Sequence, residues 1–430
     1  MSDTTRIVIV GGGIAGIEVA TSLGRSLGRS GKARVTLVDR SLSHVWKPML
    51  HTFAAGTARP DRQKVSFFAQ AKANGFRFWP GTLLSVDRTA KRIALAPFVD
   101  GQGDGADCRP AELPYDTLVV AVGSRANDFG TPGVAEHCLT IDDLTEAEAF
   151  HAKLGHHIFT SLRTDEALDV AIVGGGATGV ELAAELKQAI DLISGYGSPA
   201  LRERFRLALI ESGPRLLPAF PEHVSRDVAK SLESLGVDVR TAAMVTRADA
   251  HGFALKDGSR IEADLKVWAA GVKAPEMLAG IAGLERSRTG QLTVGQSLQT
   301  TNDPAIFALG DCASIPAPEG AQPVPATAQA ARQQAQHLSR HFGAFMQGRP
   351  MPPFRYDDKG AIVSLADYNG WGTLGNYTFG GGPMRGLAAR LAHDLLYRQH
   401  QLGLLGPWRG ALAWLVDDLD HLVGPPVRLD

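Results

Sequence analysis

Two glycine-rich loops, each placed between a short apolar strand and a helix, constrain the fold of this 430-residue chain more than any other feature. The first loop contains Gly11, Gly13 and Gly16, and the second contains Gly174, Gly176 and Gly179. In this GxGxxG spacing the first glycine allows a tight turn, the second lets the backbone approach a pyrophosphate, and the third lets helix and strand pack closely. The N-terminus of the following helix favours an anion. The sequence therefore predicts two dinucleotide-binding sites.

An acidic residue ends the strand that follows each loop. Asp39 lies 23 residues past Gly16, where its carboxylate can accept a hydrogen bond from a ribose hydroxyl. Glu211 lies 32 residues past Gly179, and we interpret the extra length, SGYGSPALRERF, as a loop or a helix extension. A carboxylate here repels a 2′-phosphate and favours NADH over NADPH, although Arg215, four residues on, is suited to such a phosphate.

The elements around the loops are repeated as well. Strand, glycine loop, helix and strand is the βαβ pattern of a parallel sheet. The apolar segments Thr117 to Ser124 and Leu265 to Pro275 each run into a glycine, about 100 residues after their own loop. The first copy then resumes at Thr300 to Ala313. We predict an α/β fold with two Rossmann-like dinucleotide-binding domains, the second inserted into the first.

The predicted domain boundaries are 1–116 plus 290–345 for the first domain, 117–289 for the second and 350–430 for a C-terminal domain. From about Pro350 aromatic and small residues alternate with turn signals, which predicts β-hairpins. Two amphipathic helical patterns follow. The first has Leu387, Ala388, Leu391, Ala392, Leu395 and Leu396 on one stripe, and the second has Trp408, Leu412, Leu415, Val416, Leu419 and Leu422.

Composition and charge exclude several classes of function. A net charge of -1 gives no reason to expect a nucleic-acid partner. The sequence contains no run of 18 or more consecutive apolar residues, so we expect no transmembrane helix. The cysteines Cys108, Cys138 and Cys312 form no CxxC pair, and we expect neither a dithiol redox centre nor a metal site. Two dinucleotides in one chain then indicate hydride transfer from a nicotinamide to a flavin, with electrons leaving to an external acceptor.

This layout resembles the two-dinucleotide-domain flavoproteins and, within them, the type II NADH dehydrogenases, which are non-proton-pumping NADH:quinone oxidoreductases. GGGIAG with Asp39 is similar to the family's FAD fingerprint, and Gly310 with Asp311 to its second flavin motif. HVWKPML, from His44, is similar to the segment beside the flavin, although Trp46-Lys47 departs from the usual residue pair. The resemblance covers nearly the whole chain and implies FAD in the first domain, NADH in the second and a quinone as the acceptor.

The resemblance also implies site residues. Ala328 to Gln333, AQAARQ, fits the family's AQxAxQ pattern at the quinone end of the flavin, which makes Gln329 and Gln333 candidates. Their i, i+4 spacing places both amides on one helix face, as it does in any helix with a polar side. Glu181 matches a glutamate between the nicotinamide and quinone sites, or is a helix-start acid. Lys359 matches a lysine near the quinone pocket, or is a solvated turn residue.

A peripheral position on the cytoplasmic face of the cell membrane follows from the same resemblance, because the family docks through an amphipathic C-terminus. Four arginines suit anionic headgroups beside the apolar stripe: Arg385, Arg390, Arg398 and Arg409. Three acids in the last helix oppose such contact: Asp417, Asp418 and Asp420. Packing of that helix on the protein, or at a homodimer interface, is the alternative.

Three other functions compete with this prediction. Sulfide:quinone reductases share the fold and the quinone but use a cysteine pair at the flavin, and they do not need the second fingerprint that this chain has. A soluble NADH-dependent reductase of an electron-carrier protein does not need the AQxAxQ helix or the C-terminal pair. An NAD(H)-sensing flavoprotein is the non-enzymatic alternative, and rapid NADH oxidation with a soluble quinone excludes it.

Overall fold

A computed structural model describes residues 4–96, 111–317, 323–374, 377–380, 395–423 and 427–428. In these ranges the chain is an α/β protein built around two parallel sheets, with smaller antiparallel sheets attached. The predicted α/β class and its two Rossmann-like units are confirmed, because each glycine loop joins a parallel strand to a helix.

The first sheet contains six strands. Their spatial order is Gln299–Thr300, Asp303–Ala308, Thr117–Val120, Thr5–Val10, Ala33–Asp39 and Arg77–Pro80. All neighbours pair in parallel except the first two strands. The central strands are buried on both faces, which is why they read as continuous apolar runs in the sequence.

The second sheet repeats the central order of the first. Its four parallel strands are Val237–Arg240, Phe205–Ile210, Leu168–Val173 and Leu265–Trp268. Each large sheet is accompanied by a three-stranded antiparallel sheet. The first of these is Thr82–Asp87, Arg92–Ala96 and Ala111–Pro114, and the second is Val245–Asp249, Gly252–Leu255 and Arg260–Glu262.

One predicted boundary is wrong at the level of strand pairing. Thr117–Val120 was assigned to the second domain, but it pairs with Thr5–Val10 in the first sheet. The reason is the repeat itself: this strand corresponds to Leu265–Trp268, which pairs with the loop-bearing strand of the second sheet. The first unit therefore extends beyond residue 116. Asp303–Ala308 rejoins the first sheet next to Thr117–Val120, so the predicted return of the chain after the insertion is confirmed.

Helices cover the sheets and connect the strands. The longer ones are Ile14–Leu23, Phe67–Asn74, Leu144–Thr164, Ala177–Gly195, Glu222–Ser234 and Ala328–Phe345. Short helices are Leu50–Ala55, Pro60–Gln63, Val134–His137 and Ala200–Arg204. The unusual distance between Gly179 and Glu211 is explained by the 19-residue helix Ala177–Gly195 together with Ala200–Arg204.

The C-terminal region begins with the predicted hairpins, which are confirmed as an antiparallel sheet of Ile362–Leu365, Asn369–Leu374 and Tyr377–Gly380. Residues 395–405 are helical, and Pro407–Val423 forms the last helix. The part of the first amphipathic pattern before Leu395, with Arg385 and Arg390, lies outside the described residues. So do the side chains of Asp418, Asp420 and Leu422.

Candidate functional site

Of the three motif glycines in the first loop, two are closely packed and the third is open. Gly11 has a φ of 101°, and a Cβ there would lie 2.3 Å from the carbonyl oxygen of Ala121. A Cβ on Gly16 would lie 1.7 Å from the carbonyl oxygen of Gly11. A Cβ on Gly13 would meet no described atom within 4 Å. This is the shape that pyrophosphate binding requires, with a tight turn, close helix packing and an open approach.

The second loop has the same shape. Gly174 has a φ of 119°, and a Cβ there would lie 2.6 Å from the carbonyl group of Ala269. A Cβ on Gly179 would lie 2.0 Å from the carbonyl oxygen of Gly174. At Gly176 a Cβ would again meet no described atom within 4 Å. Both loops therefore fit the phosphates of a dinucleotide.

The two predicted ribose-binding acids fix their loops in the same way. The N–H of Gly12 donates to Oδ2 of Asp39 at 2.5 Å, and the N–H of Gly175 donates to Oε2 of Glu211 at 2.7 Å. Each carboxylate thus lies beside the middle residue of its glycine triplet, at the end of the adjacent strand. The longer sequence spacing in the second copy has not displaced its acid.

Arg215 was a possible partner for a 2′-phosphate on sequence grounds, but in the structure its guanidinium is hydrogen-bonded to nearby groups of the protein. Its guanidinium donates to the carbonyl oxygens of Phe220 at 2.7 Å and Pro218 at 2.9 Å, and to Oγ of Ser225 at 2.7 Å. These bonds hold the turn that follows Glu211. The guanidinium is therefore committed to the fold, and the carboxylate is the charge that faces the second loop.

Gly310 and Asp311 join the first domain to the helix Ala328–Phe345. Gly310 has a φ of 70°, and its N–H donates to Oε1 of Gln334 at 2.6 Å. Oδ2 of Asp311 accepts from Oγ of Ser124 at 2.7 Å. Ser124 follows the strand Thr117–Val120, so Asp311 lies where two adjacent parallel strands of the first sheet end. Gln334 was not predicted, although it lies directly after the AQAARQ motif.

Glu181 lies in the first turns of the helix Ala177–Gly195 and is only 7% exposed. Its Oε1 accepts from the N–H of Ser364 at 3.1 Å, and its Oε2 lies 3.7 Å from Nδ1 of His51. Burial raises the pKa of Glu181 to about 8, against the opposing effect of the Ser364 N–H and with a smaller contribution from Glu185. The carboxyl group is thus largely protonated at pH 7 and can act as a proton donor.

Two neighbours of Glu181 were not predicted. His51 and Glu185 are both buried, and Oε2 of Glu185 accepts a hydrogen bond from the hydroxyl of Thr57. The sequence did contain a signal for Glu185. It follows Glu181 by four residues, which places both on one helix face, and the other residues between 180 and 186 are apolar. His51 had none, since it comes from a separate helix, Leu50–Ala55.

The two glutamines of the AQAARQ motif clamp a backbone segment. Oε1 of Gln329 accepts from the N–H of Lys359 at 2.8 Å, while its Nε2 donates to the carbonyl oxygen of Gly360 at 3.0 Å. Oε1 of Gln333 accepts from the N–H of Asp357 at 2.9 Å, and its Nε2 donates to the Asp357 carbonyl oxygen at 2.7 Å. Both amides therefore lie on one helix face, as predicted, and each makes a pair of bonds to the backbone.

The four predicted quinone-site residues meet on one segment, residues 357–365. Gln329 and Gln333 hold its first half, Lys359 is an exposed residue within it, and its Ser364 contacts Glu181. Through these hydrogen bonds the segment contacts both the helix Ala328–Phe345 and the helix Ala177–Gly195. The structure thus relates the four residues through one stretch of backbone, with the glutamines as its anchors.

The described cysteines are not arranged for redox chemistry. Cys312 is buried, and its thiol donates to the carbonyl oxygen of Leu309 at 3.2 Å. Burial raises the pKa of Cys312 to about 11 and that of Cys138 to about 12. A thiol with a raised pKa is a poor nucleophile. In the described residues, therefore, no cysteine resembles the reactive pair of a sulfide-oxidising flavoenzyme.

The last helix leaves its predicted apolar stripe exposed. Trp408 is 89% exposed and Leu412 is 61% exposed. The remaining described members are also exposed, as are the last two residues of the preceding stripe: Leu415, Val416, Leu419, Leu395 and Leu396. No helix in the described part of the chain is both long enough and apolar enough to cross a bilayer. The stripe forms an apolar surface that nothing described in this chain covers.

Comparison with known proteins matches this architecture. The family pattern described as pyridine nucleotide-disulphide oxidoreductase matches residues 5–335. A type II NADH:quinone oxidoreductase from Haemophilus influenzae is 41% identical over 443 residues, covering 98% of this chain and 99% of the relative. A protein of the same name from Staphylococcus saprophyticus is 28% identical, covering 86% of this chain and 90% of its own length.

Solved structures share the fold. NDH2 from Plasmodium falciparum in complex with NADH superposes with a TM-score of 0.85 at 20% identity, over 100% of both chains. The sulfide:quinone oxidoreductase of Aquifex aeolicus superposes with a TM-score of 0.73 at 16% identity, over 98% of this chain and 96% of that one. At these identities the likeness establishes the fold alone.

Proposed function

Because this chain belongs to the pyridine nucleotide-disulphide oxidoreductase family and, within it, to the type II NADH:quinone oxidoreductases, we propose that it oxidises NADH and passes the electrons through FAD to a quinone. One structural observation supports this function most strongly. Two glycine loops of the same shape, each held by a strand-end acid, lie in two copies of one fold. A protein with two such sites brings two dinucleotides together.

The first loop, with Asp39 and with Asp311 beyond it, holds the FAD in this proposal. The open space at Gly13 fits the pyrophosphate, and Asp39 is the partner for the adenosine ribose. The bound flavin supplies the redox chemistry by accepting a hydride and releasing electrons to the acceptor. The protein contributes position, since the loops and acids fix where each cofactor lies.

The second loop binds NADH, with Glu211 selecting against a 2′-phosphate. Coulomb repulsion from a carboxylate at this place disfavours NADPH, and Arg215 is already bonded to Phe220, Pro218 and Ser225. Since each loop has an equivalent strand-end acid, two features distinguish the loops: Asp311, the flavin partner near the first loop, and the committed guanidinium of Arg215 after the second.

We assign the quinone to the region around residues 357–365. Reduction of a quinone by NADH follows the balance NADH + H⁺ + quinone → NAD⁺ + quinol, so each turnover takes one proton from the medium. Glu181, with a pKa raised to about 8, holds a proton at neutral pH beside this segment. We propose Glu181 as the proton donor, Lys359 as the exposed cation near the quinone, and Gln329 and Gln333 as residues that position the segment.

We also propose that the enzyme works at a membrane surface as a peripheral protein. The exposed stripe of the last helix and the exposed Arg409 beside it fit an apolar interface bounded by anionic headgroups. A stripe packed on the protein, the alternative left open by the sequence, is not supported because its described members are exposed. The cytoplasmic face of the membrane and a homodimer stay predictions.

A donor and acceptor comparison tests the proposal. Purified protein is assayed for oxidation of NADH with a short-chain ubiquinone and with a menaquinone analogue, and for reduction of its flavin by sulfide. We expect NADH oxidation that depends on added quinone, and no bleaching by sulfide, because the described cysteines are not activated. Bleaching by sulfide without bleaching by NADH would assign the chain to sulfide oxidation instead.

A further inference from the structure

A buried pair of histidines connects the first glycine loop with the C-terminal part of the chain. His44 lies in the short strand Ser43–His44, and His400 lies in the helical residues 395–405; each is 2% exposed. Their Nε2 atoms are 2.8 Å apart, and Nδ1 of His44 is 2.9 Å from the carbonyl oxygen of Gly12. No role in the proposed reaction uses either ring.

The contacts determine which ring nitrogens carry hydrogen. A carbonyl oxygen only accepts, so Nδ1 of His44 donates to Gly12. The Nε2 of neutral His44 is then an acceptor, and Nε2 of His400 donates to it. Nδ1 of His400 is left as an acceptor, and among the described residues it is buried without a hydrogen-bond partner. Burial lowers the pKa of His44 to about 4 and lowers that of His400 too, so both rings are neutral at pH 7.

In the second glycine loop a backbone N–H takes the place that His44 has in the first loop. There the carbonyl oxygen of Gly175, the counterpart of Gly12, accepts from the backbone N–H of Leu217 at 2.8 Å. In both loops an acid holds the N–H of this same residue. In each copy, therefore, both the N–H and the C=O of this residue are held by hydrogen bonds. Among the described residues, a side chain holds this carbonyl only in the first copy, and that side chain is hydrogen-bonded to a residue more than 350 positions away.

The carbonyl contact orients a phosphate-binding group. In a trans peptide the C=O and the following N–H point in opposite directions. Because the carbonyl of Gly12 points to the buried His44, the N–H of Gly13 points away from it. Gly13 is exposed, and a Cβ there would meet no described atom within 4 Å. Its N–H is thus aimed at the open side of the loop, where an oriented backbone N–H binds an anion.

The helical residues 395–405 are held on the first domain by other contacts as well. The guanidinium of Arg25 donates to the carbonyl oxygens of Gly403 at 3.2 Å and Leu404 at 3.1 Å. Arg332, which lies inside the AQAARQ motif, donates to Oε1 of Gln399 at 3.0 Å. These contacts do not involve the histidine pair, so a substitution at residue 400 leaves the helix with independent anchors.

We propose that His44 and His400 position the Gly12–Gly13 peptide for the FAD pyrophosphate, and that FAD binding is thereby coupled to docking of the helical residues 395–405. The inference rests on the proposed binding of FAD to the first loop. Both histidines are positioning residues, since they act on the cofactor through the backbone of Gly12. Coupling is reciprocal, so the factor by which docking strengthens FAD binding is the factor by which FAD strengthens docking.

The rate at which FAD leaves the holoprotein tests the positioning role, followed by the rise in fluorescence of released flavin. His44→Leu loses the hydrogen bond to the Gly12 carbonyl, which predicts FAD dissociation about five- to tenfold faster. His400→Leu loses only the bond between the two histidines, which predicts dissociation about three- to fivefold faster. His400→Gln restores the slow rate, because a glutamine amide can donate to Nε2 of His44. His337→Leu is the matched control, since it removes a histidine contact of 2.9 Å to the carbonyl of Pro352.

Hydrogen exchange tests the coupling. FAD should slow amide exchange of residues 395–405 in the unmodified protein and in His400→Gln, and have no such effect in His400→Leu. Equal FAD dissociation from His400→Leu and the unmodified protein would overturn the coupling, and so would equal acceleration in His400→Leu and His400→Gln. Equal dissociation from His44→Leu overturns the positioning role. A protein that retains no FAD at all contradicts the proposed function instead.

Discussion

Glu211 and Asp39 occupy equivalent places in the two copies of the fold, yet they face different cofactors in our proposal. The Glu211 carboxylate fixes its loop through Gly175, and repulsion of a 2′-phosphate is an additional effect of its charge. Because Arg215 is bonded to Pro218, Phe220 and Ser225, no guanidinium at that position offsets this repulsion.

Glu211→Ala should therefore lower kcat/KM for NADH and raise kcat/KM for NADPH, narrowing their ratio by about tenfold, which corresponds to about 1.4 kcal/mol. Steady-state assays with both nucleotides and one quinone measure this ratio, and the absorbance spectrum confirms that FAD remains bound. Arg215→Ala is the control, for which the ratio should stay unchanged. Equal use of NADH and NADPH by the unmodified protein contradicts the role of Glu211.

Glu181 gives the protein a pH-dependent stability. Its pKa is raised from 4.5 to about 8 in the folded state, so the folded state holds the proton more tightly between these values. The stabilising contribution is full below pH 4.5 and is lost as the pH rises to 8, by up to about 1.4 kcal/mol per pH unit. Urea unfolding at pH 5 and pH 8 should show a smaller loss of unfolding free energy for Glu181→Gln than for the unmodified protein. The exposed Glu233→Gln should behave like the unmodified protein, and identical pH dependence in all three proteins would disprove the raised pKa.

The helix Ala328–Phe345 connects the first unit to the segment 357–365. Gln329 and Gln333 use their amides on this segment, so in our proposal they act on the quinone region through its backbone. Lys359 and the Ser364 contact to Glu181 both depend on where this segment lies.

Gln329→Ala should slow reoxidation of the flavin by quinone by about tenfold while leaving reduction by NADH within about twofold, because one pair of backbone bonds is lost at the quinone side only. Stopped-flow absorbance separates the two half-reactions. Gln336→Ala is a suitable control on the same helix, since Gln336 contacts Glu18 instead of the segment. An unchanged rate of flavin reoxidation by quinone in Gln329→Ala would contradict the proposed role of Gln329.

The elements that sequence reasoning identified correctly were those with local signals. Both glycine loops, the strand and helix on either side of each, and the acids at the ends of the next strands follow from spacing over short distances. The histidine pair had no such signal, because His44 and His400 are brought together only by the packing of the C-terminal helix on the first domain. The use of Gln329 for backbone clamping was likewise hidden, since its partners lie 30 residues on.

The part of the described chain before the C-terminal region consists of two copies of one fold, the second inserted into the first. This insertion explains why the predicted boundary at residue 116 disagrees with the strand pairing. Thr117–Val120 belongs to the first sheet although it directly precedes the inserted unit. An apolar strand that ends in glycine occurs in both copies, so its sequence alone does not indicate which sheet it joins. Pairing with Thr5–Val10 decides the question.

Exposure of the C-terminal stripe predicts binding to lipid surfaces. Leu412→Asp combined with Leu415→Asp should lower binding to vesicles containing phosphatidylglycerol by at least about tenfold, because two apolar contacts are lost. Vesicle flotation measures binding, and turnover with a short-chain quinone should stay within about twofold. Leu84→Asp, an exposed leucine in the strand Thr82–Asp87, is the control. Unchanged flotation of the double variant with the vesicles would contradict the membrane-facing stripe. Dissociation of a homodimer in the double variant would likewise contradict it, since the stripe would then be a dimer interface.

The most direct measurement for NADH:quinone electron transfer is anaerobic mixing of the purified yellow protein first with NADH and then with a short-chain quinone, followed by flavin absorbance. We predict bleaching by NADH and full return of the colour with quinone, each at a rate at least as high as steady-state turnover. A flavin that NADH bleaches but quinone does not recolour at that rate would contradict the assignment of the quinone as the electron acceptor.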